Sequence, residues 1–378
     1  MAQTFVIRGA HVYCTEQRSF TPASVVVENG IIAKLLSPDA AYSCENVIDG
    51  TGCYLVPGLV DTHTHGRIGY DFDSATVEQM KEMRRSYAQD GTTTVFPTIA
   101  SAPFAQIEQA IDNVKAAGYD CIHLEGRYLN AKRRGAHRED LLFPLDSAEL
   151  SALLDRMEPL HVHITCAAEL EAGCTFVKTA VARGATVSLG HSDATYDEAL
   201  EAISWGVNAF THTFNAMRPI HHREPGPVVA GMTVDTAYCE VIADGFHLHP
   251  AIVKLAYLTK RPAHLTLITD SMSATGCADG EYAIAGEKVH VVDGKAINEE
   301  GNIAGSTITL YQAVRNLMRF ADITYAEALP YATIVPAREV GLDAVTGSIA
   351  EGKRADLLLV SPETYDIRAV WQMGERIL

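Results

Sequence analysis

Eight short apolar runs alternate with helix-patterned stretches, metal- or proton-binding side chains follow several of those runs, and strand-like segments crowd the two ends. Together these predict an α/β fold: a (β/α)8 TIM-type barrel with a small β-sandwich domain formed from both chain termini. The expected division is residues 1–54 for the first part of the small domain, 55–342 for the barrel and 343–378 for the returning part.

The terminal segments come first. Residues 4–9, 24–27 and 31–36 are apolar and rich in β-branched side chains, and Glu28, Asn29 and Gly30 supply a hairpin turn. At the other end, 347–349, 355–360 and 367–370 read as strands, with turns at Glu351-Gly352 and Met373-Gly374. Neither end could bury a sheet face alone, so the two are expected to pair. Between them, candidate strands lie at 55–60, 92–97, 121–125, 161–166, 185–190, 208–211, 239–243 and 265–269. Helical patterns fill most gaps, at 76–89, 104–117, 147–157, 176–183, 196–205 and 250–258. A doubly wound sheet is the alternative. Chemistry at nearly every strand end favours closure, because a closed barrel brings those ends to one mouth.

Composition bounds the partners. The chain has 378 residues, 47% hydrophobic and 20% charged, which suits a globular protein with a large core. Its formal charge of −17 argues against nucleic acid or an anionic membrane, both of which call for a basic face. A local basic patch could still bind a small anion. The cysteines (Cys14, Cys44, Cys53, Cys121, Cys166, Cys174, Cys239, Cys277) include no CxxC pair, which predicts reduced thiols in a cytoplasmic protein. No signal-peptide pattern opens the sequence, and no apolar run approaches the ~18 residues of a membrane span.

The chemistry lies in a few short stretches. His63 and His65 sit two apart at the end of the first barrel strand, so both imidazoles can face one way. Neutral imidazole suits zinc or iron(II). Glu125 ends the third strand, where a carboxylate could ligate one metal or bridge two. His191 and His212 end the fifth and sixth. With Glu125 they make a three-ligand set that leaves a position open for water. Asp270 ends the eighth strand, which closure sets beside the first, within reach of that water as acid/base. A second His-x-His, His161 and His163, lies inside the fourth strand and reads as packing. Two basic clusters, Lys132, Arg133, Arg134, His137 and Arg138, then Arg218, His221, His222 and Arg223, follow proposed ligand strands and suit an anion at the mouth.

The motifs PGLVDTHTHG, HLEG, GHSDATYDEA, THTFNAM, HHREPG, IADGFHLHP, ITDSMSATG and AGSTITL, in that order, resemble the N-acetylglucosamine-6-phosphate deacetylases of the amidohydrolase superfamily. The closing GSIAEGKRADLLLV resembles that superfamily's returning β-segment. The resemblance runs from about residue 50 to the C-terminus; HxH and ADLLLV mark only the superfamily, whereas THTFNAM, HHREPG and ADGFHLHP are specific to the family. It implies a divalent metal, zinc or iron, one or two per subunit. Glu125, His191 and His212 would ligate it, with His63 and His65 available for a second ion bridged by Glu125. It implies Asp270 as catalytic acid/base and His247 as the contact to sugar and acetyl carbonyl. Asn215, Ala216 and Arg223 would hold the sugar phosphate, Arg223 reaching in from the partner of a homodimer. His137 matches a histidine near the phosphate, and Ala136, Ile303, Ala304 and Gly305 match substrate-contacting loops.

The implied reaction is hydrolysis of the acetamide in N-acetylglucosamine 6-phosphate. The chain departs from the family at Arg127, where proline usually follows HLEG, and at Ala167-Ala168-Glu169, where the family reads APE; its 131–138 loop is also unusually basic. These departures admit another acylated amino-sugar phosphate such as N-acetylgalactosamine 6-phosphate. A cyclic-amide or N-acyl amidohydrolase is a further alternative, weakened by the absence of a lysine in the fourth strand. A non-catalytic scaffold would have lost ligands that are all present here.

Overall fold

The computed structural model describes residues 4–38, 40, 42–284 and 286–378. The first three residues of the expected first segment lie outside them. Eight parallel strands form the barrel: β1 (Leu59–Thr64), β2 (Thr92–Ile99), β3 (Cys121–Glu125), β4 (His161–Cys166), β5 (Thr186–Leu189), β6 (Ala209–Phe210), β7 (Tyr238–Ile242) and β8 (Leu265–Ile268). Their spatial order is their chain order. Closure joins β8 to β1: the Asp270 N–H donates to the His63 carbonyl at 2.9 Å, and Thr64 bridges Ser271 in parallel. Asp61 reinforces this seam by accepting from the Thr269 hydroxyl at 2.6 Å. It is a latch between first and last strands, not part of the reaction site.

The longer helices are α1 (Val77–Gln89), α2 (Phe104–Ala116), α3 (Ser147–Met157), α4 (Gly173–Ala182), α5 (Tyr196–Trp205), α6 (Gly226–Thr233), α7 (Pro250–Lys260) and α8 (Leu310–Ala321). Capping boxes start α1 (Thr76 with Gln79) and α5 (Thr195 with Glu198), which satisfies otherwise orphaned N–H groups. The barrel strands are buried on both faces, as β2 is throughout, so they read as continuous apolar or β-branched runs rather than alternating ones. Among the described residues, no helix is long and apolar enough to cross a membrane. Cys53, Cys121, Cys166 and Cys239 are buried, whereas Cys277 is exposed.

The terminal segments Thr4–Cys14, Ser19–Glu28, Ile31–Leu36, Tyr54–Pro57, Leu357–Val360 and Ile367–Gln372 join in one sheet. The expected hairpin is present, with Asn29 and Gly30 at φ 55° and 79°, the signs a type I′ turn requires. Alternate residues divide the faces. Leu55, Leu357, Leu359 and Trp371 enter the small domain's own core, while Val56, Leu358, Val360 and Val370 pack on the barrel.

Two expectations need correction, and one element is additional. The single strand at 55–60 is two, because the backbone changes partner in one step. The Gly58 N–H donates to Asp356 O in the terminal sheet and the Leu59 N–H to Gly91 O in the barrel. Residues 347–349 form no strand; their neighbours bond within the loop, Arg354 N–H to Val345 O, rather than along a ladder. A three-stranded antiparallel flap (Gly280–Ile284, Glu287–Val292, Lys295–Asn298), unforeseen in the sequence, is inserted between β8 and α8.

Arg354 joins the two parts. Its side chain is mostly buried, pairs with Asp356 at 3.1 Å and with Asp120, and donates to the Thr94 hydroxyl at 2.7 Å. Asp120 is half-exposed, but Asp356 is buried, and stripping its partner leaves a carboxylate in the interior. The expected outcome for Arg354→Met is a loss of about 3 kcal/mol in chemical denaturation. A change within experimental error in the unfolding midpoint would remove this tie from the account.

Candidate metal centre and active site

The predicted ligands converge at the C-terminal mouth of the barrel. One Glu125 carboxylate oxygen lies 3.1 Å from His191 Nε2 and 3.0 Å from His212 Nε2, and these two nitrogens are 3.1 Å apart. Its other oxygen lies 3.2 Å from His63 Nε2 and 3.0 Å from His65 Nε2. Asp270 Oδ1 completes the second group at 3.6 Å from His63 and 3.3 Å from His65. All six residues are buried, none more than 8% exposed.

Local backbone aims these side chains. His191, His212 and Asp270 each follow a strand in left-handed conformation, with φ of 48°, 30° and 48°. Such values are uncommon for residues with a Cβ and cluster at functional sites. Gly126, at φ 155°, permits the turn after Glu125; a Cβ there would lie 2.3 Å from the Ser101 nitrogen.

The donor set fits a divalent cation. A tetrahedron of ligands at about 2.0–2.1 Å has edges of about 3.3–3.4 Å, close to the spacings above. His191 Nδ1–H donates to Arg133 O at 2.8 Å, which leaves the Nε2 lone pair facing the centre. Without a metal, protons take its place. Burial disfavours the charged form of His63 and His65, but the carboxylates of Glu125 and Asp270 overrule it, holding His63 well above the ordinary imidazole range and His65 at about 9. Burial would raise Glu125, yet the surrounding imidazoles, His63 first, hold it well below the usual carboxylate range.

Above the cluster opens a cavity of about 540 Å³. Its walls carry His65, Glu125, His191, His212 and Asp270 at the floor and Ala136, His137, Asn215, Ala216, His247, Ile303, Ala304 and Gly305 around them, so all these predicted residues meet. His137 is buried against the ligands, 3.7 Å from Glu125. Arg223 is not on this wall; it is exposed, 2.8 Å from His222, in a separate surface hollow beside Thr195 and Tyr196. Lys132, Arg133 and Arg134 line the mouth, and Arg134 reaches Glu300 beyond the flap at 3.4 Å.

The departures find structural roles. Arg127 turns away from the metal ligands: it forms a two-pronged pair with Glu149 at 3.0 and 3.1 Å and stacks on Phe143 at 4.0 Å. Glu169 accepts from Ser192 Oγ and the Asp193 N–H, both at 2.8 Å, and so holds the loop that carries His191. His163 does enter the barrel interior, whereas His161 is exposed. Sequence reading missed Asp244, which accepts from His247 Nδ1–H at 2.6 Å, although its spacing three residues before His247 was a usable signal. It also missed Ile284, Glu300 and Asn302 on the cavity wall, because nothing in their own pattern marks them.

Protons and metal compete for the same imidazole nitrogens. The raised His65 contributes stability to chelated protein fully below pH ~6.5, lost as pH rises through about 9. Metal affinity is therefore expected to climb between those values, with proton release on binding. Calorimetric zinc titrations of chelated protein across pH 6.5–9 measure this; a flat affinity would contradict the proposed ligation.

The profile of the Amidohydrolase family matches residues 54–376. An N-acetylglucosamine-6-phosphate deacetylase of Vibrio furnissii is 33% identical over 93% of this chain and 90% of its own length. An N-acetylgalactosamine-6-phosphate deacetylase of Escherichia coli is also 33% identical, over 85% of this chain and 87% of its own. A mutant N-acetyl-D-glucosamine-6-phosphate deacetylase from Mycobacterium smegmatis, solved with N-acetyl-D-glucosamine-6-phosphate, superposes with a TM-score of 0.92 at 30% identity over the whole of both chains. With its barrel, its paired ligand clusters and this near full-length similarity, the chain belongs to the amidohydrolase family, on the branch of the N-acetylglucosamine-6-phosphate deacetylases.

Proposed function

We propose that this protein removes the acetyl group from N-acetylglucosamine 6-phosphate, giving glucosamine 6-phosphate and acetate in amino-sugar catabolism. The observation that carries this reading is the convergence of Asp270 on the Glu125–imidazole cluster at the floor of a cavity with a basic mouth. The names of the relatives supply the substrate class.

Glu125, His191 and His212 would hold the catalytic divalent cation, zinc or iron(II) by donor type, and His63, His65 and the second Glu125 oxygen a further ion. When bound, such a cation lowers the pKa of water toward ~7 and polarises the acetamide carbonyl. Asp270 takes the proton of the attacking water and returns it to the amine as the C–N bond breaks. Burial would raise its carboxyl, but His63 and His65 hold it below the usual carboxylate range, so it stands ionised at neutral pH. His247, its ring fixed by Asp244, offers Nε2 to the acetyl group. Asn215, Ala216, His137, Ala136 and the Ile303, Ala304 and Gly305 loop orient the sugar, which converts remote binding into alignment of the amide. Arg223 lies outside its own cavity, which supports a homodimer in which it completes the phosphate site of the partner.

Asp270→Asn is expected to retain the metal held by Glu125, His191 and His212 and to lose about 10²–10⁴-fold in kcat. A variant turning over near the wild-type rate would remove Asp270 from this role. Arg223→Ala is expected to raise KM for the sugar phosphate while the rate on unphosphorylated N-acetylglucosamine stays put; equal effects on both would sever Arg223 from the phosphate. The E. coli relative favours a second reading, in which the galactose epimer is preferred. Acetate release from both epimers decides between them: a higher kcat/KM for N-acetylgalactosamine 6-phosphate transfers the assignment.

A further inference from the structure

Below the catalytic cluster, the barrel interior holds a second set of ionisable side chains that the reaction does not use. His163 projects from β4, Glu240 from β7, and Glu339 ends the helix Ile334–Glu339, which packs against β1 and β8. None is more than 1% exposed. One ligand atom from each lies within 4.8 Å of the others.

These groups are poorly satisfied by protein alone. His163 Nδ1 is engaged with the Thr186 hydroxyl at 2.7 Å, so its Nε2 faces Glu240 Oε1 at 3.4 Å without forming a hydrogen bond. The other contacts of the Glu240 carboxylate are equally long: 3.5 Å to Thr62 Oγ1, 3.4 Å to the His212 N–H and 3.9 Å to His63 Nδ1. Glu339 accepts from the Thr266 hydroxyl through one oxygen, while its Oε1 has no partner. Among the described residues, Glu240 is ion-paired only with imidazoles and Glu339 with nothing. Two carboxylates this deeply buried are costly unless a cation or protons balance them.

We propose that His163, Glu240 and Glu339 bind a divalent cation, zinc by donor type, as a structural site at the barrel floor, distinct from the catalytic centre. One imidazole nitrogen and two carboxylate oxygens suit zinc, and the 3.4 Å separation of His163 Nε2 and Glu240 Oε1 matches the ligand spacing around it. The second Glu240 oxygen faces His63 Nδ1, so a cation that fixes Glu240 also fixes the acceptor behind a catalytic ligand. Protons are the rival occupants, since burial pushes the Glu339 carboxyl well up.

The test uses the full chain and zinc alone. Anomalous difference maps collected on both sides of the zinc edge are expected to show a peak about 2.0–2.2 Å from the three ligand atoms, separate from any peak at Glu125. Glu339→Gln is expected to lose one zinc per chain by elemental analysis and to keep the upper zinc. A floor with no anomalous peak, or one filled by water, overturns the inference whether or not the upper cluster is occupied. An unchanged zinc count in Glu339→Gln does the same, and if that variant misfolds the wild-type map still decides. Acetate release bears only on the catalytic reading; its failure would leave a floor peak standing.

Discussion

A single buried carboxylate organises this molecule. The two oxygens of Glu125 each face a pair of imidazoles, His191 with His212 and His63 with His65. These residues come from four different strand ends, so their meeting requires the barrel to close in one register. A slip of one residue in any of those strands would turn its ligand into the wall. The seam that fixes closure runs through the site itself: Asp61 latches Thr269, and the Asp270 N–H bonds to the carbonyl of His63. The interaction that binds the last strand to the first also sets Asp270, the proposed acid/base, beside the candidate ligands.

Such a centre is expensive to hold without its cation. Convergent imidazoles and carboxylates are desolvated, and three of the residues that bear them sit in left-handed backbone. The surrounding core offsets this through apolar strands buried on both faces and a helical shell. Polar supports behind the ligands do the aiming. Arg133 O fixes the tautomer of His191, Glu169 pins the loop after it, and Asp244 sets the ring of His247. Arg127, placed next to a ligand in sequence, spends its charge on Glu149 and the Phe143 ring and leaves the centre alone.

The mouth is assembled from parts that do not belong to the regular barrel. The basic 131–138 loop and the segment of the flap after β8 meet through Arg134 and Glu300, and both line the cavity. The two proposed functions are thereby separated in space: metal and proton chemistry at the strand ends, recognition in the loops above. Arg223 stands apart from both within one chain, so its proposed role at the phosphate rests on the proposed homodimer.

By itself the sequence determined the barrel and pointed to the candidate ligands. Buried parallel strands must be apolar, helices must be amphipathic, and the residues that follow Val60, Leu124, Leu189 and Ile268 carry chemistry that no turn requires. What lay beyond it were properties of pairs distant in the chain. The partner change between Pro57 and Leu59, the flap, the pairing of Arg127 with Glu149 and the gathering of His163, Glu240 and Glu339 all depend on which segments become neighbours. A lone histidine inside a strand reads the same whether it packs against leucine or faces two carboxylates. Periodicity reports how much of a side chain is buried; only closure of the barrel decides against what.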